Sequence, residues 1–132
     1  TLSLHDALPI LNNNMIHIIK HINTWCWGKS IYITVNGGEG IVTISFTNED
    51  PENATITGLS VIPEARNKGL GNKLIELAEA EAMVDERVKN ITIAADENEF
   101  TFNWYKRLGY KQNNRVWYFE CPQVKELVKK IR

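Results

Sequence analysis

The stretch of this sequence that decides the fold is residues 59–71, LSVIPEARNKGLG. A β-branched run ends in a turn with proline, and Gly69 and Gly71 then open a segment of helical spacing. The first turn of a helix leaves backbone N–H groups without partners, and the helix dipole is positive there. Because glycine has no Cβ, and Arg66 and Lys68 add positive charge, this junction can bind a phosphate. Taken alone, the stretch is equally consistent with a solvated turn.

Strands are predicted upstream of this junction. Residues 30–35 and 41–46 alternate between apolar and polar side chains, and an Asn-Gly pair between them supplies the positive φ angles of a tight hairpin. Residues 54–62 follow a polar turn and are rich in Thr, Ile and Val. Residues 15–22 form an apolar, β-branched run that predicts a short first strand. Three consecutive antiparallel strands are therefore predicted before the junction, and the short strand at residues 15–22 is predicted to precede all three.

Downstream of the junction, helices alternate with strands. A stripe at helical spacing predicts an amphipathic helix, and it consists of Leu70, Leu74, Leu77, Ala78 and Ala82. Residues 90–95 predict a strand, residues 99–108 a second helix that ends at Gly109, and residues 116–121 a further strand. This order predicts an α/β (α+β) fold: a mixed, mostly antiparallel central sheet with packed helices.

A last helix is predicted to begin at Pro122, because proline suits the first turn of a helix. Its apolar stripe is Val124, Leu127, Val128 and Ile131. The basic residues of this segment are expected on its solvated face.

Composition restricts the classes of partner. The chain of 132 residues, 43% hydrophobic, suits one domain, and its net charge of -1 favours neither nucleic acid nor an anionic membrane. No apolar stretch approaches the roughly 20 residues of a spanning helix.

We expect a cytoplasmic protein whose Cys26 and Cys121 are reduced, packed thiols. His17 and His21 lie on a strand-like segment, so no metal site is predicted. Trp25 and Trp27 are expected to be buried, and contact with an acceptor is the alternative.

The first ten residues are treated separately. Residues 1–10 back-translate codon for codon to a common sequencing adapter, and an ordinary N-terminal segment is the alternative. On the adapter hypothesis the domain covers residues 11–132, and Met15 is a candidate native start.

The junction lacks the signatures of two familiar phosphate sites. It has no Gly-Lys-Ser/Thr of a P-loop and no third glycine of a dinucleotide fold. Its R-x-x-G-x-G pattern, five residues after a strand valine, instead resembles the acetyl-CoA loop of the GNAT N-acetyltransferases. The resemblance implies that the pyrophosphate lies on the loop and that the preceding strand pairs by backbone with the pantetheine arm. The implied cofactor-binding residues are Leu59, Ser60, Val61, Arg66, Asn67, Lys68, Gly69, Leu70 and Gly71.

A second GNAT motif follows in the expected order, so the resemblance covers residues 54–121. Asn98 precedes Tyr105 by seven residues, and Leu-Gly-Tyr comes shortly after, at residues 108–110. In the family the matching Asn contacts the cofactor, and the Tyr lies near the sulfur as general acid toward the leaving thiolate. The alternative for Tyr105 is a core aromatic, since Phe100, Phe102 and Trp104 surround it.

Two departures from the family pattern concern the acceptor. Residues 91–95 offer no carboxylate as general base. Asp96 and Glu97 are the nearest acids, but both fit a solvated turn at the strand end better than a catalytic role. A water relayed to backbone carbonyls is the alternative to a carboxylate base. Residues 15–30 have little room for the helices that wall the acceptor pocket. The acceptor side is therefore expected to be open or completed by a second subunit in a homodimer.

The resemblance implies transfer of an acetyl group from acetyl-CoA to a primary amine, by direct attack in a ternary complex and without a metal. The amine acceptor, a small molecule or a protein amine, is not identified. The alternative is a non-catalytic GNAT-fold module that binds acyl-CoA or regulates a partner.

Overall fold

A computed structural model describes residues 16–113 and 121–132, which form seven strands and two α-helices. The strands are β1 (Ile18–Trp25), β2 (Gly28–Val35), β3 (Gly40–Thr47), β4 (Asn53–Val61), β5 (Asn90–Asp96), β6 (Lys111–Gln112) and β7 (Val124–Lys130). The helices are α1 (Leu70–Val84), between β4 and β5, and α2 (Phe100–Arg107), between β5 and β6.

The strands form one sheet in the order β1-β2-β3-β4-β5-β7-β6. Every neighbouring pair is antiparallel except β4 and β5, which are parallel and connected through α1. The Asn-Gly hairpin is confirmed: Asn36 and Gly37 have φ angles of 51° and 69° between β2 and β3. The predicted fold class, a mixed and mostly antiparallel sheet with packed helices, is therefore confirmed.

The core lies between the sheet and α1. Alternate residues of β2 and β3 are buried, among them Ile31, Ile33 and Ile44, and α1 packs against β2, β3 and β4. The helix buries most of its predicted stripe, but Ile75 is buried where Leu77 was expected and Leu77 is only half-buried. Apolar alternation thus places α1, and with it the start of that helix, above the middle of the sheet.

The predicted C-terminal helix is wrong, because Val124–Lys130 forms strand β7. It pairs with β5 over seven residues, and β6 borders it on the other side. Glu126 and Leu127 are both buried, as in a strand that packs on two faces. Sheet pairing therefore overrides a helical spacing that a short apolar run also fits. The strand predicted at residues 116–121 falls largely outside the described residues, and Cys121 belongs to no helix or strand.

Three predictions of burial are also wrong. Trp25, at the end of β1, and Trp27, in the β1–β2 turn, stack on each other with ring centroids 4.9 Å apart, but both remain exposed. Cys26 and Cys121 are free thiols as predicted, yet they are exposed rather than packed. Phe100, grouped with the core aromatics of α2, is 77% exposed. Each of these residues lies at the end of a helix or strand or in a connecting segment, where the sequence pattern does not indicate which side chains are buried.

Candidate functional site

The site begins where β4 separates from β5. The β3–β4 register shifts so that Thr43 faces Gly58 while Ile44 faces Ile56, which leaves Thr57 as an extra residue in β4. A β-bulge of this kind bends its strand. The two parallel strands pair only over Asn53–Ile56 and Asn90–Ile93. Among the described residues, no strand pairs with β4 beyond Ile56 on the β5 side, so the strand's last residues present an open backbone edge.

The loop after β4 turns the chain sharply into α1. Asn67 and Gly69 both have left-handed backbone conformations, with φ angles of 65° and 79°. The Nε of Arg66 donates a hydrogen bond of 3.1 Å to the carbonyl of Val61, which holds this cation beside the strand end. The first turn of α1 has no side-chain cap and no acidic residue. Its free N–H groups and positive dipole end therefore face the groove mouth without competition from a carboxylate of that turn.

Helix α2 forms the opposite wall through Trp104. A Cβ on Gly71 would lie 3.3 Å from two ring atoms of Trp104, so the indole packs directly against the start of α1. The Nε1 of the indole donates a hydrogen bond of 3.1 Å to Oδ1 of Asn72. The absence of a side chain at Gly71 thus serves the contact between the helices, whereas Gly69 has open space around it.

Between these walls lies a groove of about 740 Å³. It is lined by Leu59, Ser60, Val61, Ala65, Arg66, Asn67, Gly69, Leu70, Gly71 and Asn72 on the α1 side, and by Glu99, Phe100, Thr101 and Trp104 on the α2 side. All the predicted cofactor residues line it except Lys68 and Asn98. Both exceptions are exposed, and the backbone N–H of Asn98 donates to Oδ1 of Asp96 at 2.9 Å.

The α2 wall was not predicted as part of the site. Phe100 and Trp104 stand four residues apart on a helix, and this spacing places two aromatic side chains on one face. The same spacing is common in core helices, so sequence alone could not separate a groove wall from a buried stripe.

Tyr105 lies behind Trp104 and does not line the groove. Its side chain is 7% exposed, with its ring centroid 5.0 Å from that of Trp104 and 6.2 Å from that of Tyr110. Burial raises the pKa of the Tyr105 phenol above its ordinary value, so the proton stays on the oxygen at neutral pH. Within the described part of the chain, no group hydrogen-bonds this hydroxyl. By contrast, the hydroxyl of Tyr110 donates to Oε2 of Glu79 at 2.9 Å.

Of the two acids near the end of β5, the Asp96 carboxylate has a structural partner, whereas Glu97 is held through its backbone. Oδ1 of Asp96 accepts the bond from the N–H of Asn98, and the backbone N–H of Glu97 donates to the carbonyl of Gln123 at 2.9 Å. Glu126, on β7 opposite Ala94, is a buried carboxylate that accepts from Nδ2 of Asn113. Glu126 was not predicted as a site residue, because its segment was predicted as an amphipathic helix with Glu126 outside the apolar stripe. No cluster of three metal-ligating side chains occurs in the described ranges.

Comparison with known proteins agrees with this geometry. A sequence model of the GNAT acetyltransferase domain matches residues 27–112, which is more than half of the chain. The chain belongs to the GNAT acetyltransferase family. It is 28% identical over 109 residues to an uncharacterized N-acetyltransferase of Chlorobaculum tepidum, a match that spans 83% of this chain and 63% of that protein.

Solved GNAT structures have the same fold. A protein of Klebsiella pneumoniae assigned as an acyl-CoA N-acyltransferase superposes with a TM-score of 0.70 at 17% identity, over 89% of this chain and 99% of that one. A GNAT family acetyltransferase of Elizabethkingia anophelis, solved with acetyl-CoA bound, gives a TM-score of 0.65 at 16% identity, over 88% and 98%. No helix within residues 16–113 and 121–132 is long and apolar enough to cross a membrane.

Proposed function

We propose that this GNAT protein transfers an acetyl group from acetyl-CoA to a primary amine, by direct attack in a ternary complex. The observation that carries the proposal is the groove at the divergence of β4 and β5, where an open strand edge leads to an uncapped helix start. The proposal includes action in the cytoplasm, where free thiols such as Cys26 and Cys121 are usual. It also includes a homodimer as one way to complete the acceptor side.

The proposed roles of the groove residues follow from their chemistry. Backbone N–H groups at the start of α1, with the nearby guanidinium of Arg66, suit the two negative charges of a pyrophosphate. The open backbone of Leu59, Ser60 and Val61 suits the amide groups of a pantetheine arm, which can add to a strand edge as a further strand would. Lys68 and Asn98 complete the proposed set, although both lie outside the groove lining.

Tyr105 is the proposed general acid. Cleavage of a thioester releases a thiolate, and a protonated phenol within hydrogen-bond reach can transfer its proton to that sulfur. The raised pKa keeps the proton available, and the absence of a partner within the described residues leaves the hydroxyl uncommitted. This role requires the thioester sulfur to reach the Tyr105 hydroxyl, which lies behind Trp104 as seen from the groove. The indole therefore limits the route by which the thioester can approach.

The second candidate is a GNAT-fold module that binds acyl-CoA, or regulates a partner, without catalysis. Two observations favour it: the Asp96 carboxylate accepts a backbone hydrogen bond, and Tyr105 does not line the groove. Such a module would bind acetyl-CoA and leave the thioester intact.

Two measurements on the full chain test these proposals. Titration calorimetry with acetyl-CoA should give saturable binding that Arg66→Ala weakens. The control Lys68→Ala also removes one positive charge from the loop, and it should weaken binding less because Lys68 lies outside the groove lining. Release of CoA is then followed with a panel of amines. Release that depends on an amine supports the transferase, binding without release supports the module, and a folded protein that binds no acetyl-CoA contradicts both.

A further inference from the structure

We propose that strand β1 pairs with the β1 of a second copy of this chain, antiparallel and in a register centred on Ile22, so that the two sheets join into one. The interface lies at the edge of the sheet, three strands away from β4. It is therefore remote from the groove, and the inference does not depend on acetyl transfer.

The first observation is a long edge strand with an open side. β1 pairs with β2 over all eight of its residues, from Ile18 to Trp25, without a bulge. Within the described residues, no strand pairs with its other side. Just before β1, the carbonyl of His17 accepts a hydrogen bond of 2.8 Å from the backbone N–H of Asn36, so odd-numbered residues direct their backbone groups toward β2. Even-numbered residues of β1 therefore offer theirs to a further strand.

The second observation is that β1 lacks the usual protection of an edge. Proteins guard such strands with proline, a bulge or charged side chains. β1 contains no proline, and its one fully charged side chain, Lys20, is held on α1, where Nζ lies 3.1 Å from Oε2 of Glu81. Four large apolar side chains are exposed instead, on both faces of the strand: Ile18, Ile19, Ile22 and Trp25. Their exposure in one copy is what a paired strand would cover.

The side-chain pattern of β1 identifies the partner as a second copy. When a two-fold axis relates two antiparallel strands, one residue lies opposite its own equivalent, and opposite residues point to the same face. A centre on Ile22 brings the two Ile22 side chains together on the α1 face. On the other face it places Ile19, which is 63% exposed, opposite Trp25. Polar residues are also matched, since Lys20 then lies opposite Thr24.

Neighbouring registers lose this match. A centre on His21 places Ile22 opposite Lys20, and a centre on Asn23 places Ile22 opposite Thr24. A centre on Lys20 brings two like charges directly opposite each other, which is unfavourable. One register therefore matches apolar with apolar and polar with polar residues, as self-association requires.

The mass in solution tests the interface. Analytical ultracentrifugation of the full chain should give a dimer. Ile22→Lys removes apolar contact and places two ammonium groups at the centre, so it should weaken the dimer by about tenfold or more. The control Ile41→Lys changes another exposed isoleucine, on β3 two strands away, and should leave the dimer unchanged. A monomeric wild type, or a dimer that Ile22→Lys does not weaken, overturns the proposal.

Disulfide formation tests the register without adding charge. In a Cys26→Ser/Cys121→Ser background, Ile22→Cys should give a covalent dimer on mild oxidation, because opposite Cα atoms in such a pair lie about 5.5 Å apart. The control Thr24→Cys should not, since four residues of offset put its equivalent about 14 Å away along the strand. Absence of the covalent dimer in Ile22→Cys, or equal yields from the two variants, overturns the register centred on Ile22.

Discussion

Tyr105 and Tyr110 are neighbouring buried phenols in different hydrogen-bonding situations. The hydroxyl of Tyr110 is bonded to Glu79, which also accepts from Nζ of Lys129 at 3.0 Å. Tyr105 has no such bond within the described residues. A buried hydroxyl without a partner costs free energy of folding. The proposed role of Tyr105 as a proton donor would account for this cost.

Tyr105→Phe should therefore separate catalysis from stability. Without the proton donor, kcat for acetyl transfer should fall by about 10²-fold or more, with the affinity for acetyl-CoA unchanged. The free energy of unfolding should stay the same or rise slightly, because no hydrogen bond is lost. Steady-state kinetics and urea denaturation measure the two effects, and full turnover in the variant would contradict the acid role.

Tyr110→Phe is the matched control. It removes a hydroxyl of the same chemistry but breaks the bond to Glu79, so the free energy of unfolding should drop by about 1 kcal/mol. Turnover per folded molecule should be close to that of the wild type.

Gly71 can be tested through its contact with Trp104. Alanine at position 71 favours the helix by about 1 kcal/mol, but its methyl group would crowd the indole. In a Trp104→Phe background those ring atoms are absent, so Gly71→Ala should be more favourable there by about 1 kcal/mol. A double-mutant cycle measured by urea denaturation checks this coupling; additive effects would mean that the indole moves aside without cost.

At the scale of elements, sequence periodicity predicted what local physics determines. The Asn-Gly hairpin and the stripe of α1 follow from turn geometry and amphipathicity; the hairpin is confirmed, and the stripe is confirmed apart from Leu77. β7 was missed because Val124, Leu127 and Val128 have helical spacing, which a strand buried on both faces can also show, and because its position between β5 and β6 depends on tertiary contacts. The bulge at Thr57 was also missed, since no residue type at that position requires one.

The bulge should be needed for the groove and dispensable for the fold. Deletion of Thr57 brings Ile56 and Gly58 into a regular ladder with Ile44 and Thr43, so side chains keep their faces and β4 can continue beside β5. We expect a folded protein that loses acetyl-CoA binding by at least about tenfold. Thr57→Ala keeps the extra residue and should bind normally. Calorimetry and circular dichroism measure both properties, and retained binding in the deletion variant would show that the strands separate for another reason.

For the whole molecule, the near-neutral charge means that the recognition of an anionic ligand must be local. The net charge of -1 gives no overall attraction for a CoA molecule. Arg66, the cation that lines the groove, is therefore more informative than composition. Composition could not indicate which cation lines the groove.

The whole fold should lose stability at alkaline pH because two of its phenols are buried. Burial raises the pKa of Tyr105 and Tyr110, and the nearby Glu79 carboxylate raises that of Tyr110 further. Both phenols ionise near pH 10 in the unfolded chain but keep their protons in the folded one, so above about pH 10 the folded state binds more protons. Stability is then fully present below about pH 10 and falls as the pH rises, by up to about 1.4 kcal/mol per pH unit for each phenol.

Urea denaturation between about pH 8 and pH 11 measures this dependence, and Tyr110→Phe isolates one contribution. At the lower pH the variant should be less stable than the wild type, because the substitution removes the hydrogen bond to Glu79. As the pH rises past the ordinary pKa of a phenol, the variant should lose less stability than the wild type. Lysines and other groups that titrate in this range are common to both proteins, so the difference in slope belongs to Tyr110. Equal slopes would mean that the Tyr110 hydroxyl ionises in the folded protein as readily as in the unfolded chain.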